Sequence, residues 1–116
     1  MPRKISKKLL RFDQETYTQL GVNNLILFSL LSLKYEKLER ITFEKLLERC
    51  FFLFPKVFQF GKIPQWPDAR KLDRPLRLLR NQEFVKGDPS SSFSLTPRGE
   101  KRAREISKAL LQKKLL

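Results

Sequence analysis

The stretch Pro67–Arg104 constrains the fold more than any other part of the sequence, because two opposed helical patterns occupy its first half. Four polar side chains recur at i, i+4, i+7 and i+11 and share a narrow sector of a helix, while three leucines share the opposite sector. The polar set is Arg70, Arg74, Arg77 and Asn81, and the apolar set is Leu72, Leu76 and Leu79. The pattern predicts a helix that buries one face and presents a cationic, hydrogen-bonding face.

The chemistry of this polar face suits a nucleic acid. Guanidinium groups match phosphates and guanine edges, and the amide of Asn81 is able to pair with adenine. Charge alone favours a simpler interpretation, a solvated helix face. The segments on either side of the helix must therefore decide between the two.

Pro75 complicates the helix, because a proline in a helix removes a hydrogen bond and clashes with the preceding turn, at a cost of about 3 kcal/mol. Two interpretations stay open. Either residues 68–73 form a separate turn and the helix starts near Arg74, or one helix is kinked. In the first case Arg70 leaves the shared face, and Arg70 and Lys71 are backbone contacts at most.

The residues after this helix predict a short β-hairpin and then another helix. Residues 83–86 and 93–95 have an extended pattern, and the loop 87–92 is rich in glycine, proline and serine. Thr96 is a good N-cap and Pro97 a good first helical residue, since proline's missing N–H would have no partner there.

Two motifs in this region resemble winged helix-turn-helix proteins. Leu95-Thr96-Pro97-Arg98-Gly99 followed by Ala103 resembles the L-T-x-x-G-x-x-x-A sequence that closes the wing in many of them, including MarR-like and PadR-like regulators. Residues 76–85 are similar to the end of their recognition helix running into the first wing strand. The resemblance covers about residues 24–110 as an order of elements, and about 76–103 as a motif.

The resemblance implies a fold that is mainly α with a small β-hairpin, a winged helix-turn-helix with extra N- and C-terminal helical segments. We expect a basic N-terminal arm and short helix over residues 1–22, and a winged-helix domain with its C-terminal helix over residues 23–116. In MarR-like and PadR-like proteins terminal helices build the dimer, which implies the same here. The alternative is a last helix, carrying Ala103, Ile106 and Leu110, that packs along its own domain.

Start and stop signals place the first helices. Asp13 is the expected cap of a short helix that stops at Gly21. Asn23 or Asn24 then opens a segment that is apolar nearly all round, which predicts a central helix or one shared with a second subunit. Before this, residues 1–11 contain five cations and no acid. They are either an arm that contacts DNA or a solvated tail that packs on the body.

The next helix is expected to begin at a Thr42 cap, with Ile41 and Leu46 at the positions of a hydrophobic staple, and to end before Pro55. Residues 54–67 contain three prolines and four large aromatic side chains, which predicts an ordered loop. The aromatic residues expected to hold it in place are Phe58, Phe60 and Trp66. Core packing, and not base stacking, is the favoured role of the five phenylalanines between Phe51 and Phe60, and Trp66 could still contact a DNA backbone.

Charge points to a polyanionic partner. The chain of 116 residues has a net charge of +13, of which residues 61–116 contribute 14 Lys/Arg against 6 Asp/Glu, or +8. Such charge raises the affinity for a nucleic acid without any sequence reading. A membrane surface is a weaker candidate, because the cations are not concentrated on one helix with a large apolar face.

The composition also excludes several kinds of chemistry. With no histidine and one cysteine, the chain lacks Cys/His zinc sites, Ser-His or Cys-His nucleophilic pairs and an internal disulfide. Cys50 is expected to be a buried, inert thiol. We expect no enzyme and no cofactor, and a cytoplasmic protein, since the N-terminus does not resemble a secretory signal.

The sequence therefore predicts double-stranded DNA binding, with transcriptional regulation by a homodimer as the leading function. The alternative is a small basic winged-helix subunit or adaptor of a larger nucleic-acid-processing or defence complex, and RNA in place of DNA stays open. The residues expected to enter the major groove are Arg74, Arg77 and Asn81, those expected at the backbone or minor groove are Lys86, Ser90, Ser91 and Arg98, and the expected phosphate contacts are Arg70 and Lys71.

Overall fold

Helices make up most of the chain. The computed structural model describes residues 12–115 apart from 39 and 89, with only the backbone for 112–115. Within these residues the elements are α1 Gln14–Leu20, α2 Val22–Tyr35, α3 Phe43–Leu53, α4 Pro55–Phe58, β1 Gln59–Phe60, β2 Ile63–Pro67, α5 Arg70–Asn81, β3 Val85–Gly87, β4 Phe93–Leu95 and α6 Pro97–Leu115. The chain is thus mainly α with small antiparallel hairpins, β1–β2 and β3–β4. The second of these was expected, and the first was not.

Helix α2 lies at the centre, as its apolar sequence predicts. Its side chains from 25 to 31 are all buried, and α1, α3, α5, α6 and β4 pack around it. The buried Ser29 hydroxyl donates to the Leu25 carbonyl at 2.9 Å, so the one polar side chain inside is satisfied. These side chains are covered within one chain, and a second subunit is not needed to bury them.

The predicted helix caps are confirmed. The Asp13 carboxylate accepts the Thr16 N–H at 2.9 Å, and the Thr42 hydroxyl accepts the Lys45 N–H at 3.2 Å. The start of α2 differs from expectation by one or two residues. The Asn24 side-chain amide donates to the Leu20 carbonyl at 2.7 Å instead of capping, and the helix begins directly after Gly21.

The connection between α3 and α5 is more regular than the predicted loop, because it contains α4 and the β1–β2 hairpin. Phe58 is fully buried, as expected. Phe60 is 39% exposed, so the prediction that it packs in the core is wrong, and Trp66 is 59% exposed. Strand β2 contacts α3 and α4, but both rings remain largely exposed at the surface of the ribbon. The sequence did not predict this hairpin, because prolines argue against a strand unless the strand lies at the edge of a sheet.

The first and the last described segments with side chains pack on the same core. Phe12 and Tyr17 join the core cluster, so the described part of residues 1–22 is not separate from the rest. On α6, Ala103, Ile106 and Leu110 are buried, and α6 lies along α2, which confirms packing on its own domain. The predictions for the basic arm, residues 1–11, and for the last cationic side chains, at 113 and 114, lie outside what the structure describes.

No helix of the described residues is both long and apolar enough to cross a membrane. Among the same residues no three His, Cys, Asp or Glu side chains form a group that could hold a metal ion. Burial raises the pKa of Cys50 to about 12, so this thiol is protonated and unreactive at neutral pH, as expected.

The first turn of α6 packs closely against the backbone of Phe84, the residue before β3. Gly99 is buried there, and a Cβ atom at this position would lie 1.9 Å from the Phe84 carbonyl oxygen. Only glycine permits this approach. The contact explains why the motif that begins Leu95-Thr96 requires a glycine at its end.

Gly99→Ala should therefore lower the free energy of unfolding by about 2–4 kcal/mol, because the backbone at Phe84 must move. Urea denaturation followed by circular dichroism measures this. Gly61→Ala is the matched control: its φ is +53° but nothing lies within 4 Å of the added Cβ. It should cost only about 1 kcal/mol of backbone strain. Equal losses in the two variants would contradict the steric explanation.

Candidate nucleic-acid interface

Helix α5 separates its two faces as the sequence predicts. Leu72, Leu76 and Leu79 are at most 2% exposed and pack on the core. On the other side Arg74, Arg77 and Asn81 are exposed. The burial of the leucines fixes the rotation of the helix, and this rotation decides that the guanidinium groups face solvent.

One continuous helix contains Pro75, so the interpretation that the helix starts near Arg74 is wrong. It begins at Arg70. The turn before the proline is closed by N–H groups that donate to earlier carbonyls, from Lys71 to Asp68 at 3.0 Å and from Leu72 to Ala69 at 3.1 Å. These bonds do not involve the proline nitrogen. Arg70 therefore stays in the same helix as the other three polar residues.

The Asp68 side chain organises the start of α5. Although α5 has no side-chain cap at Ala69, the Asp68 carboxylate accepts the Arg70 backbone N–H at 3.0 Å and its Nε–H at 3.3 Å. These hydrogen bonds, led by the one from the Arg70 side chain, lower the pKa of Asp68. The Arg70 Nη2 group also donates to Asp68 Oδ2, at 3.5 Å, although 83% of the arginine side chain is exposed.

Lys71, a predicted phosphate contact, has a partner within the chain. Its Nζ donates to the Gln59 carbonyl at 3.0 Å, and the side chain is half-buried. The ammonium thus joins α5 to the β1–β2 hairpin. Sequence reasoning missed this because the hairpin itself was not predicted.

The two arginines at the middle of the helix differ in their partners. Arg77 Nη2 donates to Asp73 Oδ2 at 2.9 Å, one turn earlier on the exposed surface. The Arg74 guanidinium has no hydrogen bond or ion pair with any residue in the described part of the chain. Arg74 is therefore able to bind an anion directly, whereas Arg77 must first release the Asp73 carboxylate.

The β3–β4 hairpin has the predicted position and alternation. Its register pairs Val85 with Leu95, Lys86 with Ser94 and Gly87 with Phe93. Val85 and Phe93 are buried and Lys86 is exposed. The hairpin therefore attaches to the core by one face and presents the Lys86 ammonium on the other.

Internal hydrogen bonds shape the turn of this hairpin. The Asp88 carboxylate accepts the Ser90 N–H at 2.9 Å and the Ser90 hydroxyl at 2.5 Å. The Ser90 hydroxyl is the largest of the causes that lower the pKa of Asp88. The Ser91 N–H donates to the Asp88 carbonyl at 3.1 Å. Both serines predicted to contact DNA thus form the turn, and Ser90 is the more exposed of the two.

Three of the predicted contacts meet in an open cleft of about 640 Å³ between the end of α5 and the β3–β4 hairpin. They are Asn81, Lys86 and Arg98. The cleft also contains Arg80, which the wheel places outside the arginine sector and which sequence reasoning therefore missed. Glu83 contributes the one carboxylate among the cleft-lining residues.

Arg98 is held over an aromatic ring. Its guanidinium carbon lies 4.5 Å from the centroid of Phe84, and that of Arg102 lies 5.4 Å from the same centroid. Arg102 also donates to the Asn24 side chain at 3.3 Å. The i, i+4 spacing of the two arginines on α6 was the signal for Arg102, which the predicted contacts omitted.

A second open cleft, of about 750 Å³, lies on the α6 side of the hairpin. Its cations are Lys34, Lys86, Lys101, Arg104 and Lys108. Glu100 lies among them and accepts from Lys34 and from Arg104, and these two bonds lower its pKa. Because Lys86 lines both clefts, a single basic surface extends from α5 across β3 to α6.

The turn from α5 into β3 is a Schellman arrangement with an unusual residue. The Phe84 N–H donates to the Leu79 carbonyl at 2.9 Å and the Glu83 N–H to the Arg80 carbonyl at 3.0 Å. Glu83 has φ of +65°, where glycine is usual. The Thr96 hydroxyl donates to the Glu83 carbonyl at 2.6 Å, which links this turn to the start of α6.

A scan against models of known protein families found no match, and neither did a search of curated proteins or a search of solved structures. We therefore infer the function from this chain's own geometry.

Glu83→Gly should raise the free energy of unfolding by about 0.5–1 kcal/mol, because glycine adopts a positive φ without strain. Thermal and urea denaturation measure the gain. Glu83→Ala is the control, since it removes the same charge but keeps a Cβ at positive φ, and it should give no gain. A gain of equal size in Glu83→Ala would assign the effect to charge.

The stabilisation from Asp68 should depend on pH. Its folded pKa lies below the ordinary value of 3.8, so the contribution is complete above that value and is lost as the pH falls through the lowered pKa. Wild type should be more stable than Asp68→Asn at pH about 7, and the difference should shrink in acid below the ordinary pKa. Urea denaturation of both proteins across this range measures it. A difference that is constant with pH would contradict the ionic explanation.

Proposed function

We propose that the chain is a winged helix-turn-helix protein that binds double-stranded DNA. In this proposal α5 is the recognition helix and the β3–β4 hairpin is the wing. The observation that carries the proposal is the position of α5: its leucine face is buried on α2, Arg74 and Arg77 stay exposed on its other face, and Asn81 at its end lines the basic cleft beside Lys86. The order of helices and hairpin, closed by the buried Gly99, supports the same fold.

The dimensions of α5 suit a major groove. Twelve residues make a helix about 18 Å long, and a B-DNA major groove is about 12 Å wide and admits one helix. Arg74, Arg77 and Asn81 then face base edges. Lys86 and Arg98, with Arg80 beside them, meet phosphates along the edge of the groove.

To bind DNA, Arg77 must leave its carboxylate partner. This side chain is paired with Asp73 in the free protein, and the pair is exposed, so it contributes little to stability. Replacing the carboxylate by a guanine edge exchanges a single hydrogen bond for a bidentate pair. Arg77 is therefore suited to discriminate between sequences, because guanine offers both acceptors that its guanidinium can use.

We propose transcriptional regulation by a homodimer as the biological role, without catalysis and without a membrane. A second candidate is an adaptor subunit of a nucleic-acid-processing complex. It is favoured by large apolar side chains that stay exposed away from α5, namely Tyr35 at 58%, Phe52 at 42% and Leu111 at 43%. Light scattering of the purified chain separates the two: a stable dimer supports the regulator, and a monomer that binds duplex only with a partner protein supports the adaptor.

DNA binding should weaken steeply with salt. With roughly five phosphate contacts, affinity should fall by about 10²–10³-fold between about 50 and 200 mM salt. Arg77→Ala should reduce the preference for a selected duplex over a random one by about tenfold or more. Lys86→Ala should weaken all duplexes alike and lower the salt slope by about one. Fluorescence anisotropy with labelled duplexes from an unbiased selection measures each effect.

Lys45→Ala is the matched control, because it removes one exposed positive charge from α3 and not from the proposed interface. It should change affinity by less than about twofold at either salt concentration. Binding that does not respond to salt, or an effect of Lys45→Ala as large as that of Lys86→Ala, would contradict the proposal. If the protein binds duplex RNA more tightly than duplex DNA of the same sequence, the ligand is RNA and not DNA.

A further inference from the structure

The β1–β2 hairpin exposes more apolar surface than its place in the fold explains. All five residues of β2, Ile63–Pro67, are exposed, although they connect two helices that lie on the core. The preceding aromatic residues Phe54 and Phe58 are fully buried. The aromatic content of this segment therefore divides into a half that builds the core and a half that faces outward.

The exposed half forms an aromatic pair. The ring centroids of Phe60 and Trp66 are 6.3 Å apart, with their planes inclined at 51°. Trp66 is 59% exposed and Ile63, across the strands from Phe60, is 39% exposed. A large exposed indole face beside a second ring is a surface on which a flat ligand can stack.

The charges around this pair identify the kind of ligand. The Arg70 guanidinium carbon lies 5.9 Å from the Phe60 centroid, and Lys62 lies in the turn between the two strands. Residues 59–67 contain no acid, and the nearest carboxylate in sequence, Asp68, is occupied by Arg70. Aromatic rings flanked by cations, with no free carboxylate, suit unpaired nucleic-acid bases and their phosphates.

The hairpin is also fixed relative to α5. The Lys71 ammonium donates to the Gln59 carbonyl at 3.0 Å, and the Asp68 N–H donates to the Phe58 carbonyl at 2.8 Å. These bonds place the aromatic pair at the N-terminal end of α5, whereas the β3–β4 hairpin follows its C-terminal end. A strand bound by the pair would therefore lie beyond one edge of the duplex site.

We propose that Phe60 and Trp66 stack on unpaired bases that flank the duplex bound by α5, so that the ligand is duplex DNA with a single-stranded extension on one side. This inference rests on the proposed duplex binding. Trp66 provides the aromatic face, Phe60 supports it, and Arg70 and Lys62 neutralise phosphates of the extension. A blunt duplex fills only part of this surface.

The experiment uses Trp66 as its own probe, because it is the only tryptophan in the chain. Emission is excited where tyrosine does not absorb, and the protein is titrated with a blunt duplex and with the same duplex carrying a short unpaired extension at either the 5′ or the 3′ end. Stacking should quench Trp66 with one of the two extended duplexes and leave it nearly unchanged with the blunt one. The extended duplex should bind about tenfold more tightly, as expected for about one stacked base.

Two variants separate stacking from charge. Trp66→Ala should reduce the affinity for the extended duplex to that for the blunt duplex, as measured by anisotropy of labelled DNA, while Trp66→Phe should retain most of the preference. Tyr35→Ala is the matched control, because Tyr35 is 58% exposed but lies at the end of α2. It should leave the preference for the extended duplex unchanged.

The outcomes distinguish this inference from the proposed function. Salt-sensitive binding of the blunt duplex without any Trp66 response to an extension would overturn the inference and leave duplex binding intact. Equal quenching by blunt and extended duplexes would also overturn it, since the rings would then enter the duplex itself. A Trp66 response only to an acidic polypeptide such as polyglutamate would replace the bases by a protein partner. Failure to bind any of the duplexes would reject both proposals.

Discussion

Helix α2 must be covered on every side, and this constraint decides where the other elements lie. Its side chains from 25 to 31 are buried by α1, α3, α5, α6 and β4. Each buried leucine, isoleucine or phenylalanine contributes about 1.5–3 kcal/mol, so no single contact dominates. Because α5 has only one apolar stripe to offer, covering α2 also fixes which way its arginines point. The basic surface is thus a consequence of how the core is packed.

The junction between α5, β3 and α6 depends on a small set of polar and steric contacts. The Thr96 hydroxyl donates to the Glu83 carbonyl and accepts the Gly99 N–H at 3.0 Å. Gly99 permits the close approach to Phe84, whose ring lies under Arg98 and Arg102. A short motif therefore caps a helix, closes a hairpin and positions two cations. A substitution in this motif should therefore change both the stability of the fold and the positions of these two cations.

Acidic residues moderate the basic surface in a local way. Asp68 holds Arg70, Asp73 pairs with Arg77, and Glu100 lies between Lys34 and Arg104. Each pair orients its cationic side chain. The carboxylates also reduce the net positive charge of the surface. Arg74 and Lys86 have no such partner within the described residues, so neither must give up a carboxylate to bind an anion.

The sequence by itself determined the helices other than α4, their caps and the buried stripe of α5, because these depend on local periodicity and on side chains within four residues, as at Asp13, Thr42 and Thr96. It also located Asn81, Lys86 and Arg98, which the fold brings to one cleft. Only the tertiary structure decided that Lys71 binds the Gln59 carbonyl, that Arg80 joins the basic surface, and that Phe60 and Trp66 face outward. These outcomes depend on which surfaces remain uncovered once α2 is buried, and no local pattern contains that information.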